Sequence, residues 1–156
     1  MILLNPKLHN RKYRDEKTRD LMQKTIDFLE NKGLKKIKED WHEKKWNYDF
    51  VEFMKESQAM ATLMTPAGYG AEDSRWDTYR NSAFAEITCF YGITYWYTFQ
   101  VSMLGLGPLF LGKNEELKHK TAQLLADGKV FAFGLSEKEH GADIYSTGMQ
   151  LEPQED

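Results

Sequence analysis

The sequence predicts a mainly α protein, a helical bundle that gives way near its end to the first strand or strands of a truncated β unit. Three observations predict it. Apolar residues recur at three- and four-residue spacing over most of the chain, and residues with capping chemistry stand at the ends of those stretches. At Lys129 the period changes from helical to alternating, which divides the chain into a helical domain over 1–128 and a second unit over 129–156.

The first helix is predicted from Asp15 through Leu21, Met22, Ile26, Phe28 and Leu29, ending at Asn31-Lys32-Gly33, where glycine suits a C-terminal cap. A charged helical stretch follows, with Ile37, Trp41 and Trp46 as its apolar residues. Asp49 and Glu52 have capping-box spacing, so a helix is expected to open there and bury Phe50, Phe53, Met54, Ala61 and Met64 along one stripe. Pro66 and the turn Gly68-Tyr69-Gly70 end it. From about Arg75, the residues Trp76, Tyr79, Ala83, Ile87 and Phe90 mark the packed face of another helix. The next, Ile93 to Leu104, is apolar nearly all round and should be central. Gly105, Gly107 and Pro108 are expected to break it. Asn114 then caps a last helix through Leu117, Leu124 and Leu125, closed by Asp127-Gly128.

Composition excludes several classes of function. With 156 residues and 41% apolar content the chain can bury the core of one domain, or of one domain and the start of another. A net charge of −3 argues against a nucleic-acid partner, because such proteins concentrate Lys and Arg on one face. The lysines between Lys32 and Lys45 alternate with Glu39, Asp40 and Glu43, as on a solvated helix face. No charge occurs from Thr88 to Gly112, but Thr94, Thr98, Gln100 and Ser102 interrupt that run and no basic cluster flanks it, so no membrane span is expected. The N-terminal apolar run is too short for a signal peptide. Cys89 is the only cysteine, which rules out an internal disulfide, suits a reducing, cytoplasmic compartment, and reads as a small core residue. His9, His42, His119 and His140 lack paired-ligand spacing, and no metal site is expected.

The motif order in the second half is more specific. TPAGYGAEDS is followed by GLGPLFLGKNEELKHKTAQLLADGKVFAFGLSEKEHGAD, which sets Gly-Pro, Asn-Glu-Glu-Leu-Lys, an alternating apolar run, Ser-Glu and Gly-Ala-Asp in series. From Thr65 to Thr147 this series resembles the acyl-CoA dehydrogenase family, whereas Met1 to Met64 agrees only in being helical. The resemblance implies that 1–128 is the family's helical N-terminal domain and 129–156 the truncated start of its FAD-contacting middle β-barrel. It further implies FAD as cofactor, an acyl-CoA thioester as substrate, an electron acceptor and a homo-oligomer. In such enzymes a carboxylate takes the α-proton while the β-hydrogen leaves as hydride to flavin.

By position in that resemblance, Phe133, Leu135 and Ser136 match the strand end that meets the pyrimidine edge of the flavin. A strand end offers free N–H groups, and a serine hydroxyl adds an adjustable donor and acceptor. Gly141 and Ala142 match the elbow that approaches the FAD pyrophosphate, where small residues let backbone N–H groups reach phosphate. Two positions depart from the family pattern: Lys138 stands where it usually has Pro and Ala142 where it has Ser. The second departure removes a hydroxyl from the substrate side, so Ala142 as a substrate contact is weakened. The family's base comes from a C-terminal bundle, so no catalytic residue is assigned and Glu137 is read as a turn residue. Phe90, Tyr91, Tyr95, Trp96, Tyr97 and Phe99 lie where the family lines its fatty-acyl tunnel, and each ring also reads as core packing. Alternatives stay open: an oxidase or monooxygenase of the same architecture, or a non-catalytic helical interaction module. This chain alone is expected to bind FAD weakly or not at all, and its strand stub Val130–Leu135 to pair between chains.

Overall fold

The computed structural model describes residues 5, 12–150 and 152; the N-terminal apolar run and His9 lie outside them. Helix α1 (Glu16–Lys32) opens as predicted, with the Asp15 carboxylate accepting from the Thr18 N–H at 2.7 Å. Gly33 ends it at φ 77, a left-handed value that glycine adopts without a steric penalty. Leu21, Met22, Ile26 and Leu29 face inward. Helix α2 (Leu34–His42) buries only Ile37, and Trp41 and Trp46 stay 63% and 54% exposed.

The stripe expected from Phe50 to Met64 is divided between two helices, α3 (Tyr48–Glu56) and α4 (Ala59–Met64). Between them Gln58 sits at φ 56, and its side-chain amide donates to the carbonyls of Lys55 at 2.8 Å and Ala126 at 2.9 Å. That break lets Phe50 and Met54 on one helix and Met60, Leu63 and Met64 on the other all reach the core. The capping box is also absent. Asn47 occupies the cap position but gives its amide to the Thr98 hydroxyl at 3.2 Å, and Asp49 divides its carboxylate between the adjacent Phe50 N–H at 2.9 Å and Lys32.

Helix α5 (Thr78–Tyr91) is capped by Asp77, whose carboxylate accepts from the N–H groups of Tyr79 and Arg80. It buries Ala83, Phe84, Ile87 and Tyr91, while Cys89 lies exposed on its outer side rather than in the core. Helix α6 (Ile93–Leu111) runs on through Gly105, Gly107 and Pro108, where a break was expected. Pro108 deprives it of one N–H, directed toward the carbonyl of Leu104, and Leu104 lies on an exposed side where water can take that bond. Helix α7 (Glu115–Ala126) begins at Asn114, which accepts from the Leu117 N–H at 3.0 Å, and ends before Gly128 at φ 77.

Helix α5 packs on α1 and α6, and α4 on α3, α6 and α7. Phe50, Phe84, Tyr95 and Phe99 form the centre, with ring centroids 4.9 Å apart for Phe50–Tyr95 and 4.7 Å for Phe84–Phe99. Burying each such ring contributes on the order of 2–3 kcal/mol.

The protein is mainly α, as the sequence predicts. The expected strand is not formed: among the described residues there is none, and after Lys129 only one short 3₁₀ turn (Ile144–Ser146) occurs. Alternation gives residues 130–135 a strand's pattern, but a ladder needs a neighbour in register to take its N–H and C=O groups. Here the segment attaches to α6 instead. No described helix is long and apolar enough to cross a membrane.

Candidate functional site

The segment after Lys129 is fixed to α6 at two adjacent points. The Ser102 hydroxyl donates to the Phe131 carbonyl at 3.1 Å and accepts from the Phe131 N–H at 3.3 Å. One turn further along α6, a Cβ on Gly105 would lie 2.5 Å from the Ala132 carbonyl oxygen, so only glycine permits this approach. Phe131 packs against the core. Beyond it Phe133 is exposed, Leu135 half-buried and Ser136 exposed, and the N–H groups of all three make no hydrogen bond among the described residues.

The elbow that follows is organised by Glu137. Its N–H donates to the His140 carbonyl at 2.9 Å, and its carboxylate accepts from the Thr147 hydroxyl at 2.8 Å and the Gly148 N–H at 3.1 Å. Those bonds, the Gly148 N–H first, hold the Glu137 carboxyl below its ordinary range. A carboxylate so engaged is a turn element, not a proton acceptor. His140 Nδ1 lies 2.8 Å from the Asp143 carboxylate and lowers the Asp143 pKa. Gly141 and Ala142 are exposed between them. Of the predicted cofactor residues, Phe133, Leu135 and Ser136 therefore form one run leading off α6, and Gly141 and Ala142 sit in the adjoining elbow.

The outer face of α6 is open and apolar. Ile93, Tyr97, Leu104 and Leu111 are 65%, 60%, 44% and 89% exposed. Their spacing of four, seven and seven residues places them on one stripe. Trp76 lines two cavities beside this helix, one of about 440 Å³ against Pro66, Phe110 and Leu111 and one of about 270 Å³ against Asn81 and Trp96. The aromatic series is thereby sorted: Tyr91, Tyr95 and Phe99 are core, Trp96 lines a cavity, and Phe90 and Tyr97 are exposed.

A third cavity, of about 290 Å³, lies between α2 and α6 around Lys32, Asp40 and Trp46. Lys32 Nζ reaches Asp49 at 2.6 Å and Asp40 at 3.0 Å and lies 5.7 Å from the centre of the Tyr95 ring. Burial pulls this ammonium's pKa down, but its bonds to Asp49 and Asp40 outweigh that and raise it, so Lys32 stays charged. Bonds from Lys36 and Lys32 hold Asp40 at about 2.

No family model, curated protein or solved structure matches this chain. The functional reading therefore rests on its own residues. Among the described residues no group of three or more His, Cys, Asp or Glu is placed to hold a metal ion. Three buried polar residues, Thr65, Arg80 and Asn81, carry side-chain atoms without a hydrogen-bond partner among the described residues. No spacing or motif marks them, because their neighbours come from the way the helices pack.

Proposed function

We propose that this chain supplies one wall of an acyl-CoA dehydrogenase-like flavoprotein, an oxidoreductase for FAD-dependent α,β-dehydrogenation of an acyl-CoA thioester. The observation that supports it is the hold of Ser102 and Gly105 on residues 131 and 132, which is followed by backbone donors at Phe133, Leu135 and Ser136 that make no hydrogen bond among the described residues. Free N–H groups beside an adjustable hydroxyl fit the acceptor-rich pyrimidine edge of a flavin. FAD, when bound, takes up the β-hydrogen as hydride. Gly141 and Ala142, exposed and small, leave room for backbone to approach a pyrophosphate. The apolar cavity at Trp76, Phe110 and Leu111 has space for part of an acyl chain.

The fit extends to one edge of the cofactor only. Ligand sites enclose most of their ligand, so a single wall forfeits most of the contacts and this chain by itself should hold FAD weakly. With Glu137 engaged in its turn, the base has to come from elsewhere in the assembled enzyme. The partners in this reading are an acyl-CoA, an electron acceptor and further copies of the chain. A second reading, a helical interaction module, is favoured by the open apolar stripe of α6.

The test is a longer protein in which a barrel and a helical bundle follow residue 156. It should purify yellow and bleach anaerobically with an acyl-CoA, and Ser136→Ala should weaken flavin retention. A colourless product that takes up no added FAD would replace the enzyme reading with the module.

A further inference from the structure

The end of α2 and the turn into α3 carry two indoles, Trp41 and Trp46, that stay mostly outside the core, although folded proteins cover most of their tryptophan surface. Lys44 and Lys45 are exposed beside them and line the same cavity of about 290 Å³. Lys38, three residues before Trp41, continues this exposed side along α2. Charge here is one-sided: residues 32–45 hold six of the chain's 21 basic residues but only three of its 24 acids. Each of those acids is already engaged, Asp40 by Lys32 and Lys36, Glu43 by Lys45, and Glu39 by Lys35 at 4.0 Å. Lys38 and Lys44 have no acidic partner among the described residues. Lys44 is also held at φ 54, where its N–H donates to the Trp41 carbonyl and the Lys45 N–H to the Asp40 carbonyl. Just past a helix end, that left-handed backbone is ordinarily given to glycine or asparagine. A lysine strains the turn and sets a cation beside the indoles, the kind of local cost that accompanies a functional surface.

We propose that this face docks peripherally on an anionic lipid bilayer, with Trp41 and Trp46 entering the headgroup layer and Lys38 and Lys44 meeting the negative groups around them. Indole suits that layer because its ring is apolar while its N–H stays in contact with water. Lysine suits it because the stem lies along apolar surface while the ammonium reaches the charge. An acidic protein would match the charge but would have to provide a pocket for each ring, whereas the headgroup layer receives both without one. The acidic excess in the rest of the chain turns this face, rather than another, toward a negative surface. The inference is independent of the flavin reading, since it involves neither the segment after Lys129 nor the cavities at Trp76.

The experiment mixes the 156-residue chain with vesicles of phosphatidylcholine, alone or with phosphatidylserine, and measures co-sedimentation and the quenching of tryptophan by lipids brominated near the headgroup. Binding should require phosphatidylserine and fall steeply with added salt. Lys38→Gln combined with Lys44→Gly should weaken it roughly 25-fold, about fivefold for each charge withdrawn. Both positions are exposed, and glycine relaxes the turn at residue 44, so the loss does not come from unfolding, which circular dichroism checks. Trp41→Phe with Trp46→Phe should keep the binding and abolish the quenching, although Trp76 and Trp96 remain. Equal binding to both kinds of vesicle, full affinity in the lysine variant, quenching that survives in the phenylalanine variant, or no binding to any vesicle would each overturn the proposal. If polyglutamate binds where vesicles do not, the proposal is likewise overturned and the face belongs to an acidic protein.

Discussion

Replacing Gly105 by alanine should detach the segment after Lys129 from α6 while the bundle stays folded. The added Cβ would stand 2.5 Å from the Ala132 carbonyl oxygen and 3.1 Å from its carbon, both main-chain atoms. No side-chain rotation relieves such a contact, so the segment must retreat by about 1 Å to reach ordinary van der Waals separation. That retreat takes the two Ser102–Phe131 hydrogen bonds, already 3.1 and 3.3 Å long, beyond useful length. Losing two neutral hydrogen bonds costs about 1–3 kcal/mol. Alanine in place of glycine inside a helix contributes about 1 kcal/mol in the other direction. Global stability should therefore change by no more than about 2 kcal/mol, with the loss concentrated locally. Amide hydrogen exchange should show the Phe131 N–H exchanging roughly tenfold faster while amides in the middle of α5 keep their protection. Gly107→Ala is the control: nothing lies within 4 Å of its Cβ position, so it should add about 1 kcal/mol and leave Phe131 unchanged. Retained protection of Phe131 in Gly105→Ala, or an equal loss in Gly107→Ala, would refute this contact as the anchor of the segment.

Three other outcomes are expected. Burial pushes the Asp15 pKa up, but the Arg75 side chain and the Thr18 bonds outweigh it and lower the folded value to about 2, so Asp15 stabilises the fold fully above about pH 4 and loses that effect as pH falls toward 2. Asp15→Ala should accordingly lose about 1 kcal/mol at pH 7 in urea titrations, and the gap from wild type should shrink at pH 2.5. Glu137→Gln should speed exchange of the Gly148 amide; because the folded Glu137 pKa is lowered, wild type should show the same loosening only as pH drops below the ordinary carboxylate range. Phe84→Ala should cost about 3–5 kcal/mol by urea denaturation, since this ring is fully buried between Phe50 and Phe99, and a loss below 1 kcal/mol would contradict that packing.

The helical order was legible wherever its signals are local. Asp15, Gly33, Asn114 and Gly128 act within one turn of chain, and each does in the structure what its chemistry predicts. Where the deciding partner is distant, the reading failed. Gln58 breaks a helical stripe without Gly or Pro, aided by a bond to Ala126, 68 residues away. Asn47 is drawn from capping to Thr98, and Asp49 shares its carboxylate between Lys32 and the adjacent Phe50 N–H. Gly105 and Pro108 read as a helix break, although Gly105 serves instead to admit Ala132. Cys89, set in an apolar run, faces outward because that run is longer than the buried side of α5. The alternating pattern at Val130–Leu135 describes side-chain placement but says nothing about whether a neighbouring strand is present. As for the candidate site, Phe133, Leu135, Ser136, Gly141 and Ala142 were marked by motif order alone, whereas the docking of their segment through Ser102 and Gly105, and the orphaned amide of Asn81, appear only once the helices are packed.

Lys32 bears on how slowly the fold opens. Its ammonium, at the end of α1, meets Asp40 on α2, Asp49 at the start of α3 and the ring of Tyr95 on α6. All three contacts must separate before α1 can part from α2, α3 and α6. Contacts of this kind slow unfolding and leave the folding rate nearly unchanged wherever they are absent from the folding transition state. A single cation thereby ties the opening of the N-terminal helices to that of α6.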